Sequence, residues 1–233
     1  MAKESLPYCL NTTIGKNYNM NISYVQNFVF SVVRGLSIFY FCEVIMKELE
    51  EKILKDGQLL GNDVLKVGSF LNQQVDTELL KKMAKEVKSL FPEEITKVLT
   101  IEASGLPFAC MVAVELGVPF VFAKKSKTSN VSGNLVISKV HSFTHNTDNI
   151  INVPKEYIKD TDKVLIVDDF LANGEALKGL IEIVEKCNAS VVGCCVQIEK
   201  EYQNGGNILR NKGYKVVALA SIKAMTSDII QFN

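Results

Sequence analysis

The sequence predicts an α/β protein with a mostly parallel sheet and helices on both faces of that sheet. Three observations support this class. Short, continuously apolar runs such as residues 97–101 and 164–168 are typical of strands buried on both sides. Amphipathic segments of helical period separate these runs, and turn residues stand at the junctions. Alternation of this kind requires crossover helices between parallel strands.

The elements follow in order from Met46. The segment 46–56 predicts a helix that Gly57 closes, and residues 62–76 predict a short strand with a loop. Asp76 is expected to cap a helix that runs to the residue before Pro92. The remaining predicted elements are strand 97–101, a loop and helix over 104–117, strand 118–124, strand 164–168, helix 174–187, strand 190–198, a loop and helix over 204–213, and strand 214–220.

Residues 124–160 interrupt the alternation. This stretch is polar and rich in Ser, Thr and Asn. Two alternating pieces, around 134–143 and 148–153, predict an exposed antiparallel ribbon. A long excursion within a compact domain is typical of a mobile loop or of disorder, so we expect a flexible antiparallel lid here. His141 and His145 fall in the lid, and we interpret them as bystanders.

The first 45 residues differ from the rest, being rich in aromatic residues and Asn. The window Val25–Ile45 has about the length of a membrane span, but it carries Arg34 and Glu43. We therefore expect no membrane anchor, although a membrane-tethered form is an alternative. Because Met46 opens a strong amphipathic pattern, one hypothesis makes it the true start of the protein.

Two parts are accordingly expected: an N-terminal extension over 1–45 and a main domain over 46–233. The chain has 233 residues, a formal net charge of zero and 47% hydrophobic residues, as in ordinary soluble proteins. The balanced charge gives no support for nucleic-acid or membrane partners. Six scattered cysteines without a C-x-x-C pair favour reduced thiols and a cytoplasmic location.

The main candidate functional residues lie in the segment VLIVDDFLANGEALKG, residues 164–179. Asp168 and Asp169 follow an apolar strand, at the sheet edge where ligands of open α/β sheets bind. Residues 172–176 then lead into a helix, whose free backbone amides predict a phosphate site. Carboxylates would repel phosphate itself, so they suit hydroxyls, a metal ion or a developing positive charge. A sugar phosphate meets all three conditions; an ordinary turn capped by Asn173 is the alternative.

The segment VLIVDDFLANG resembles the signature of type I phosphoribosyltransferases. More narrowly, DDFLANGEA, IEASGLPFA, LGVPFVFAKK and VQIEKEYQNGG are similar to the bacterial xanthine phosphoribosyltransferases, in the same order from Met46 onward. The resemblance implies a type I phosphoribosyltransferase fold with a flexible hood, and a homodimer. It also implies Mg²⁺-dependent transfer of the phosphoribosyl group from phosphoribosyl pyrophosphate to xanthine, giving xanthosine monophosphate and pyrophosphate in purine salvage.

The resemblance further implies roles for residues of the donor site. Asp168 and Asp169 face the ribose, and Mg²⁺ is held mainly through substrate, with the two aspartates as candidate ligands. Ser104 and Gly105 lie in the pyrophosphate loop; an ordinary turn with Ser104 as helix cap is the alternative. Lys125 at the start of the lid is a candidate for neutralising pyrophosphate, as are Lys124 and Lys127, and solvated surface lysines are the alternative. The loop that holds the 5′-phosphate consists of Ala172, Asn173, Gly174, Glu175 and Ala176.

The base site is implied in the same way. Lys200 is expected to donate to the oxygen at position 6 of the purine, and Tyr202 to stack on the ring. Leu65 and Asn72 match positions that touch the base. Since the Asn72 amide can donate to a 2-oxo group, it would favour xanthine over guanine; simple packing is the alternative for Leu65 and Tyr202.

Glu175 departs from the family pattern, where Gln is expected. Because an anion aimed at phosphate would weaken binding, we predict that its side chain points to solvent. Two other functions stay open. One is a guanine/hypoxanthine phosphoribosyltransferase. The other is a non-catalytic purine-responsive regulator, which would ordinarily carry a DNA-binding helix-turn-helix that residues 1–45 do not show.

Overall fold

The structure, a computed structural model, describes residues 46–61, 63–126, 134–142 and 147–233, together with the backbone of three N-terminal strands. The chain divides into two units, Met1–Glu43 and Val44–Asn233. The rest of the first 45 residues and part of the predicted lid, with Lys127 and His145, lie outside the description. The N-terminal strands form an antiparallel sheet: β1 (Asn21–Val25), β2 (Phe28–Val33) and β3 (Leu36–Phe41).

The main unit is built on an eight-stranded sheet of order β13-β12-β11-β10-β6-β7-β9-β8. Its five central strands, from β12 to β7, pair in parallel, and antiparallel strands extend it at both edges. The predicted mostly parallel sheet is therefore confirmed. Its strands are β6 (Lys97–Ile101), β7 (Phe120–Ser126), β8 (Leu135–Ser142), β9 (Thr147–Pro154), β10 (Lys163–Leu171), β11 (Ser190–Lys200), β12 (Val216–Met225) and β13 (Ile230–Phe232).

In the part of the chain that the structure describes, five α-helices accompany the sheet at the predicted places. The predicted cap at Asp76 is confirmed, because its carboxylate accepts a hydrogen bond from the Leu79 amide at 3.1 Å. Gly117 ends the third helix in the left-handed conformation, with φ of 72°. The helices are α1 (Lys47–Asp56), α2 (Thr77–Leu90), α3 (Leu106–Leu116), α4 (Glu175–Lys186) and α5 (Gly205–Asn211). Among the described residues, no helix combines the length and the apolar character needed to cross a membrane.

Both faces of the sheet are covered, as the apolar strands predict. Along β10, Leu165 and Val167 join the core beneath α1, α2 and α3, whereas Val164 and Ile166 join the core beneath α4 and α5. All four side chains are completely buried. Successive residues of a strand point to opposite faces, so a strand with a helix layer on each side must be apolar throughout.

The strands β8 and β9 form the predicted antiparallel ribbon, but the prediction that it is exposed was wrong. Val136, Val140 and Ile151 are buried. They cover α4 at Gly179, where an added Cβ would lie 3.0 Å from the Ile151 side chain. Alternate ribbon residues are therefore apolar because one face of the ribbon packs on the helix.

Three features were not predicted at their observed bounds. Residues 58–72 form a hairpin, β4 (Gln58–Leu60) and β5 (Val64–Lys66), followed by a π-helical turn, Gly68–Asn72. The strand β10 runs to Leu171 because its pairing with β11 continues to Glu199. On its other side, β10 pairs with β6 only as far as Ile166. Asp168 and Asp169 thus lie within β10, beside a gap in the sheet.

Candidate active site

A cavity of about 720 Å³ lies at the carboxyl ends of β6, β10 and β11. This is the sheet edge at which ligands of open α/β folds bind. Most of the predicted site residues meet there, whereas Gly105 and Tyr202 do not contribute to its lining. The predicted residues that line the cavity are Leu65, Asn72, Ser104, Lys125, Asp168, Asp169, Ala172, Asn173, Gly174, Glu175, Ala176 and Lys200.

Asp168 is a buried carboxylate, 4% exposed, at the floor of the cavity. Burial raises its pKa well above the ordinary value, and the neighbouring Asp169 carboxylate raises it further. Its Oδ1 accepts a hydrogen bond from the Asp169 amide at 3.0 Å. Gly105 closes over this carboxylate, since an added Cβ would lie 2.7 Å from Oδ1. Gly105 is therefore needed for space around Asp168, although it does not line the cavity.

Asp169 is also buried and is held by Asn72. Its Oδ2 accepts a hydrogen bond from Asn72 Nδ2 at 3.2 Å. Asn72 ends the π-helical turn and is 97 residues away in the sequence. Sequence reasoning missed this contact because it assigned the amide to the base alone. An amide carries two N–H groups, so the contact with Asp169 leaves a second donor for a ligand.

The loop between β10 and α4 ends at the N-terminus of α4, where backbone amides without helical partners favour an anion. Gly174 adopts φ of 82°, which turns the chain directly into α4 at Glu175. The first amides of α4 and its dipole then face the cavity side of the loop. Gly205 of α5 supports the loop from behind: its amide donates to the Ala172 carbonyl at 3.1 Å.

Glu175 does not stand alone in this loop. Its carboxylate pairs with Lys178 Nζ at 2.7 Å, and its side chain is 29% exposed. The expected orientation toward solvent is thus only partly observed, and a cation that sequence reasoning overlooked offsets the charge. The spacing of three residues on a helix was the available signal.

The predicted pyrophosphate loop, residues 102–105, joins β6 to α3. Glu102 Oε1 accepts a hydrogen bond from the Lys125 amide at 2.7 Å, which ties this loop to β7. The peptide bond between Glu102 and Ala103 is cis. In the described structure no side chain caps α3, so Ser104 is not a helix cap; it lines the cavity instead.

Lys200 ends β11 on the side of the cavity opposite the ribbon strands, and Asp63 holds it. Its ammonium donates to the Asp63 carbonyl oxygen and lies 3.9 Å from the Asp63 carboxylate. Burial lowers the pKa of Lys200, while the Asp63 charge raises it. The Tyr202 hydroxyl donates to Asp63 Oδ1 at 2.7 Å. Asp63 was missed because it belongs to a hairpin that the sequence did not predict.

A mostly parallel sheet with a carboxylate pair and a glycine loop at its ligand-binding edge is the architecture expected of a type I phosphoribosyltransferase. The family model described as the phosphoribosyl transferase domain matches residues 67–226. The chain belongs to the phosphoribosyltransferase family.

The chain is similar over most of its length to curated bacterial enzymes. It is 50% identical over 188 residues to the xanthine phosphoribosyltransferase of Clostridium novyi (strain NT), a match that covers 80% of this chain and 99% of the relative. It is 45% identical over 188 residues to the xanthine phosphoribosyltransferase of Bacillus cereus (strain AH187), covering 80% of this chain and 95% of the relative.

Solved structures support the fold. The adenine phosphoribosyltransferase of Giardia lamblia, complexed with 9-deazaadenine, superposes with a TM-score of 0.64 at 22% identity, covering 74% of this chain and 97% of that chain. The adenine phosphoribosyltransferase of Rhodothermus marinus has a TM-score of 0.61 at 24% identity, covering 76% and 99% of the two chains. These TM-scores show a shared fold, and identities this low show nothing beyond the fold.

Proposed function

We propose that this protein transfers the 5-phosphoribosyl group from phosphoribosyl pyrophosphate to xanthine, forming xanthosine monophosphate and pyrophosphate in purine salvage. The observation that carries the proposal is one cavity lined by the Asp168–Asp169 pair, the phosphate loop 172–176 and Lys200. These features provide places for a ribose, its 5′-phosphate and an oxo-purine. The curated relatives named for this reaction match at 45–50% identity.

The reaction requires positioning and charge more than a covalent nucleophile. The bond from the anomeric carbon of ribose to pyrophosphate breaks, a bond to a purine ring nitrogen forms, and that nitrogen loses its proton. Positive charge develops on the ribose as the leaving group departs. The carboxylates of Asp168 and Asp169 lie where they can stabilise that charge, in a site largely shielded from water.

The donor substrate would span the two loops. Backbone amides at the start of α4 bind its 5′-phosphate. Ser104 and the exposed Lys125, which both line the cavity, would meet the pyrophosphate. Glu102 fixes the Lys125 backbone, which places the Lys125 residue beside the pyrophosphate loop.

The donor set fits Mg²⁺ held mainly through substrate. Carboxylate oxygens of Asp168 and Asp169 are the hard ligands that this ion prefers. Within the described residues, no group of three or more His, Cys, Asp or Glu side chains is placed to hold a metal. The two aspartates would therefore share the ion with substrate oxygens. When bound, Mg²⁺ neutralises the charge of the leaving pyrophosphate.

Recognition of the base rests on complementary hydrogen bonds. The Lys200 ammonium would donate a hydrogen bond to the oxygen at position 6. Adenine has an amino group there, which could not accept this hydrogen bond. The second N–H of Asn72 would donate to the 2-oxo group of xanthine, where guanine presents an amino group. Leu65, which lines the cavity, would contact the ring plane. A site that donates to an oxo group rejects an analogue without it.

Turnover with a panel of bases tests the proposal. The purified protein is mixed with phosphoribosyl pyrophosphate, Mg²⁺ and xanthine, guanine, hypoxanthine or adenine in turn, and the product nucleotide is measured. We expect the highest kcat/KM with xanthine. Preference for guanine or hypoxanthine would identify the related salvage enzyme instead. Purine binding without turnover of any base would identify a regulator.

We further propose a homodimer formed through α3. This helix is apolar on nearly all sides, and its inner residues Phe108 and Val112 are buried. Its outer stripe includes the exposed Cys110 and Val114, the latter 71% exposed. A helix that is hydrophobic all round is ordinarily covered on all sides. The exposed Phe122 extends this apolar surface on the neighbouring strand β7.

The catalytic domain is proposed to span 46–233. The matches to curated relatives extend over 188 residues, the number in this range. Protein that begins at Met46 should retain full turnover. The intact mass of protein made from its natural upstream region tests whether 1–45 is translated, and a mass that includes these residues would exclude Met46 as the start.

We also propose that the protein is cytoplasmic. Cys187, Cys194 and Cys195 are free and buried, as in proteins of a reducing compartment. Their burial raises the pKa of each thiol, so they are unreactive core residues. Fractionation of the native cells, followed by detection of the protein, tests the location.

A further inference from the structure

The turn between β4 and β5 is joined to the end of β11 by one residue, Asp63. Its carboxylate accepts a hydrogen bond from the Tyr202 hydroxyl at 2.7 Å and two from Gln203 Nε2, each at 2.8 Å. Its backbone carbonyl accepts from the Lys200 ammonium. Three donors within the segment 200–203 therefore converge on a residue more than 130 positions earlier in the chain.

The contacts orient Lys200. Its side chain is only 13% exposed, and it lines the cavity together with Asp63 and Gln203. An ammonium group has three N–H donors. Among the described residues, one donor is taken by the Asp63 carbonyl, which leaves two for a ligand oxygen. A lysine held in this way loses less conformational freedom on binding a ligand than a free lysine does.

The contacts also anchor the hairpin. Strands β4 and β5 have three residues each and, among the described strands, pair with each other alone. Hairpins of this size are barely stable alone. Leu65 of β5 lines the cavity, so the position of the hairpin decides the shape of the base site. The Asp63 side chain, which accepts hydrogen bonds from Tyr202 and Gln203, is otherwise exposed to water, at 60% of its surface.

We propose that Asp63 is a positioning residue for base recognition: its carboxylate ties the β4–β5 hairpin to residues 200–203, and its carbonyl then holds the Lys200 ammonium in the cavity. This inference rests on the proposed function, because it takes Lys200 as the group that binds the purine oxygen. Asp63 itself need not touch the base.

Asp63→Ala tests the inference, with Asp228→Asn as a control at a remote exposed turn. We expect KM for xanthine to rise about tenfold, equivalent to about 1.4 kcal/mol. We expect kcat, KM for phosphoribosyl pyrophosphate and Tm to stay within about twofold or a few degrees of the unmodified protein. A merely structural role would change all of these quantities together, and that outcome, or an unchanged KM for xanthine, would overturn the proposal.

A double substitution provides the matched rescue. In Asp63→Asn with Gln203→Glu, the amide and the carboxylate exchange places, so the hydrogen bond between them is preserved with its donor and acceptor reversed. The Tyr202 hydroxyl can still donate to the side-chain oxygen of the introduced amide. KM for xanthine should return to within about threefold of the unmodified value. If KM for xanthine in the double variant stayed as high as in Asp63→Ala, the proposed tie between the two segments would be contradicted.

Hydrogen exchange separates this inference from the proposed function. In the absence of any substrate, amides of β4 and β5 should exchange faster in Asp63→Ala than in the control. Equal exchange would overturn the anchoring role whatever the enzyme does. If the unmodified protein turns over no base, the proposed function fails, and equilibrium dialysis with xanthine then replaces KM in the comparison.

Discussion

At the residue scale, the buried pair of carboxylates in the cavity lowers the stability of the fold. Asp168 is buried beside Asp169, and both effects raise the pKa of Asp168. The folded protein therefore holds this proton more tightly than the unfolded chain does. Above about pH 4 the unfolded chain ionises this carboxyl, whereas the folded protein, whose pKa exceeds the ordinary 3.8, keeps the proton. The free energy of unfolding therefore falls as pH rises from about 4 to the folded pKa.

Asp168→Asn should accordingly reduce turnover and increase stability. We expect kcat to fall at least about 100-fold, because a group that stabilises transition-state charge is removed. At pH 7.5 the Tm should exceed that of the unmodified protein, and the gap should narrow toward pH 4 as Asp168 becomes protonated in both states. Calorimetry across this pH range, with the exposed Asp160→Asn as control, measures the effect; a lower Tm at pH 7.5 would contradict it.

The ion pair in the phosphate loop yields a second prediction at this scale. Lys178→Ala leaves Glu175 unpaired beside the bound phosphate, so KM for phosphoribosyl pyrophosphate should rise about threefold. Adding Glu175→Gln should restore it, while Glu175→Gln alone should change it little. Steady-state kinetics on the three variants measure KM for phosphoribosyl pyrophosphate and test this prediction. Markedly tighter donor binding in Glu175→Gln alone would mean that Lys178 does not offset the charge.

At the element scale, α5 forms the wall behind the phosphate loop. The Gly205 amide donates to the Ala172 carbonyl, and an added Cβ at Gly205 would lie 2.5 Å from the Asn173 carbonyl carbon and 2.6 Å from the Gly174 nitrogen. The helix is held in turn by Arg210, which forms two hydrogen bonds to the buried Glu199 carboxylate of β11. The phosphate loop thus depends on a helix that lies well beyond it in the sequence.

Gly205→Ala should displace the phosphate loop without reaching the base site. We expect KM for phosphoribosyl pyrophosphate to rise at least about fivefold, as overpacking of this degree commonly costs about 1–3 kcal/mol. KM for the base at saturating donor should change much less. Ile208→Ala, on the exposed side of the same helix, is the control. Equal effects of the two substitutions would show that the close approach of α5 does not shape the loop.

At the scale of the whole molecule, the exposed stripe of α3 is the surface proposed for the homodimer. Residues 106–116 form a helix that is apolar on nearly every side, yet the fold buries only one side of it. The stripe follows directly after the pyrophosphate loop. A second copy packed there would cover apolar surface and restrain that loop at the same time.

Val114→Glu should therefore shift the protein toward a monomer. Light scattering after size-exclusion chromatography measures the mass, and Leu54→Glu on α1 is the matched control, since Leu54 is 59% exposed elsewhere on the surface. We expect a dimer for the unmodified protein and for the control, and at least a tenfold weaker dimer for Val114→Glu. A monomeric unmodified protein would refute the proposed interface.

The local sequence determined the strands and the helix ends. Continuous apolar runs indicated buried parallel strands, and Asp76 and Gly117 marked helix ends. These predictions were confirmed because periodicity, capping and turn preferences act over a few residues. Two aspartates before a glycine loop predict a site for a phosphorylated sugar. The close family resemblance then indicated the substrate.

Only the tertiary structure decided which distant residues support the site. Asn72 reaches Asp169 across 97 positions, Asp63 reaches Tyr202 across 139, and the β8–β9 ribbon packs on α4. No local pattern encodes these contacts. They arise because the parallel sheet gathers the carboxyl ends of separate strands at one edge, and the burial of apolar faces sets which loops meet there.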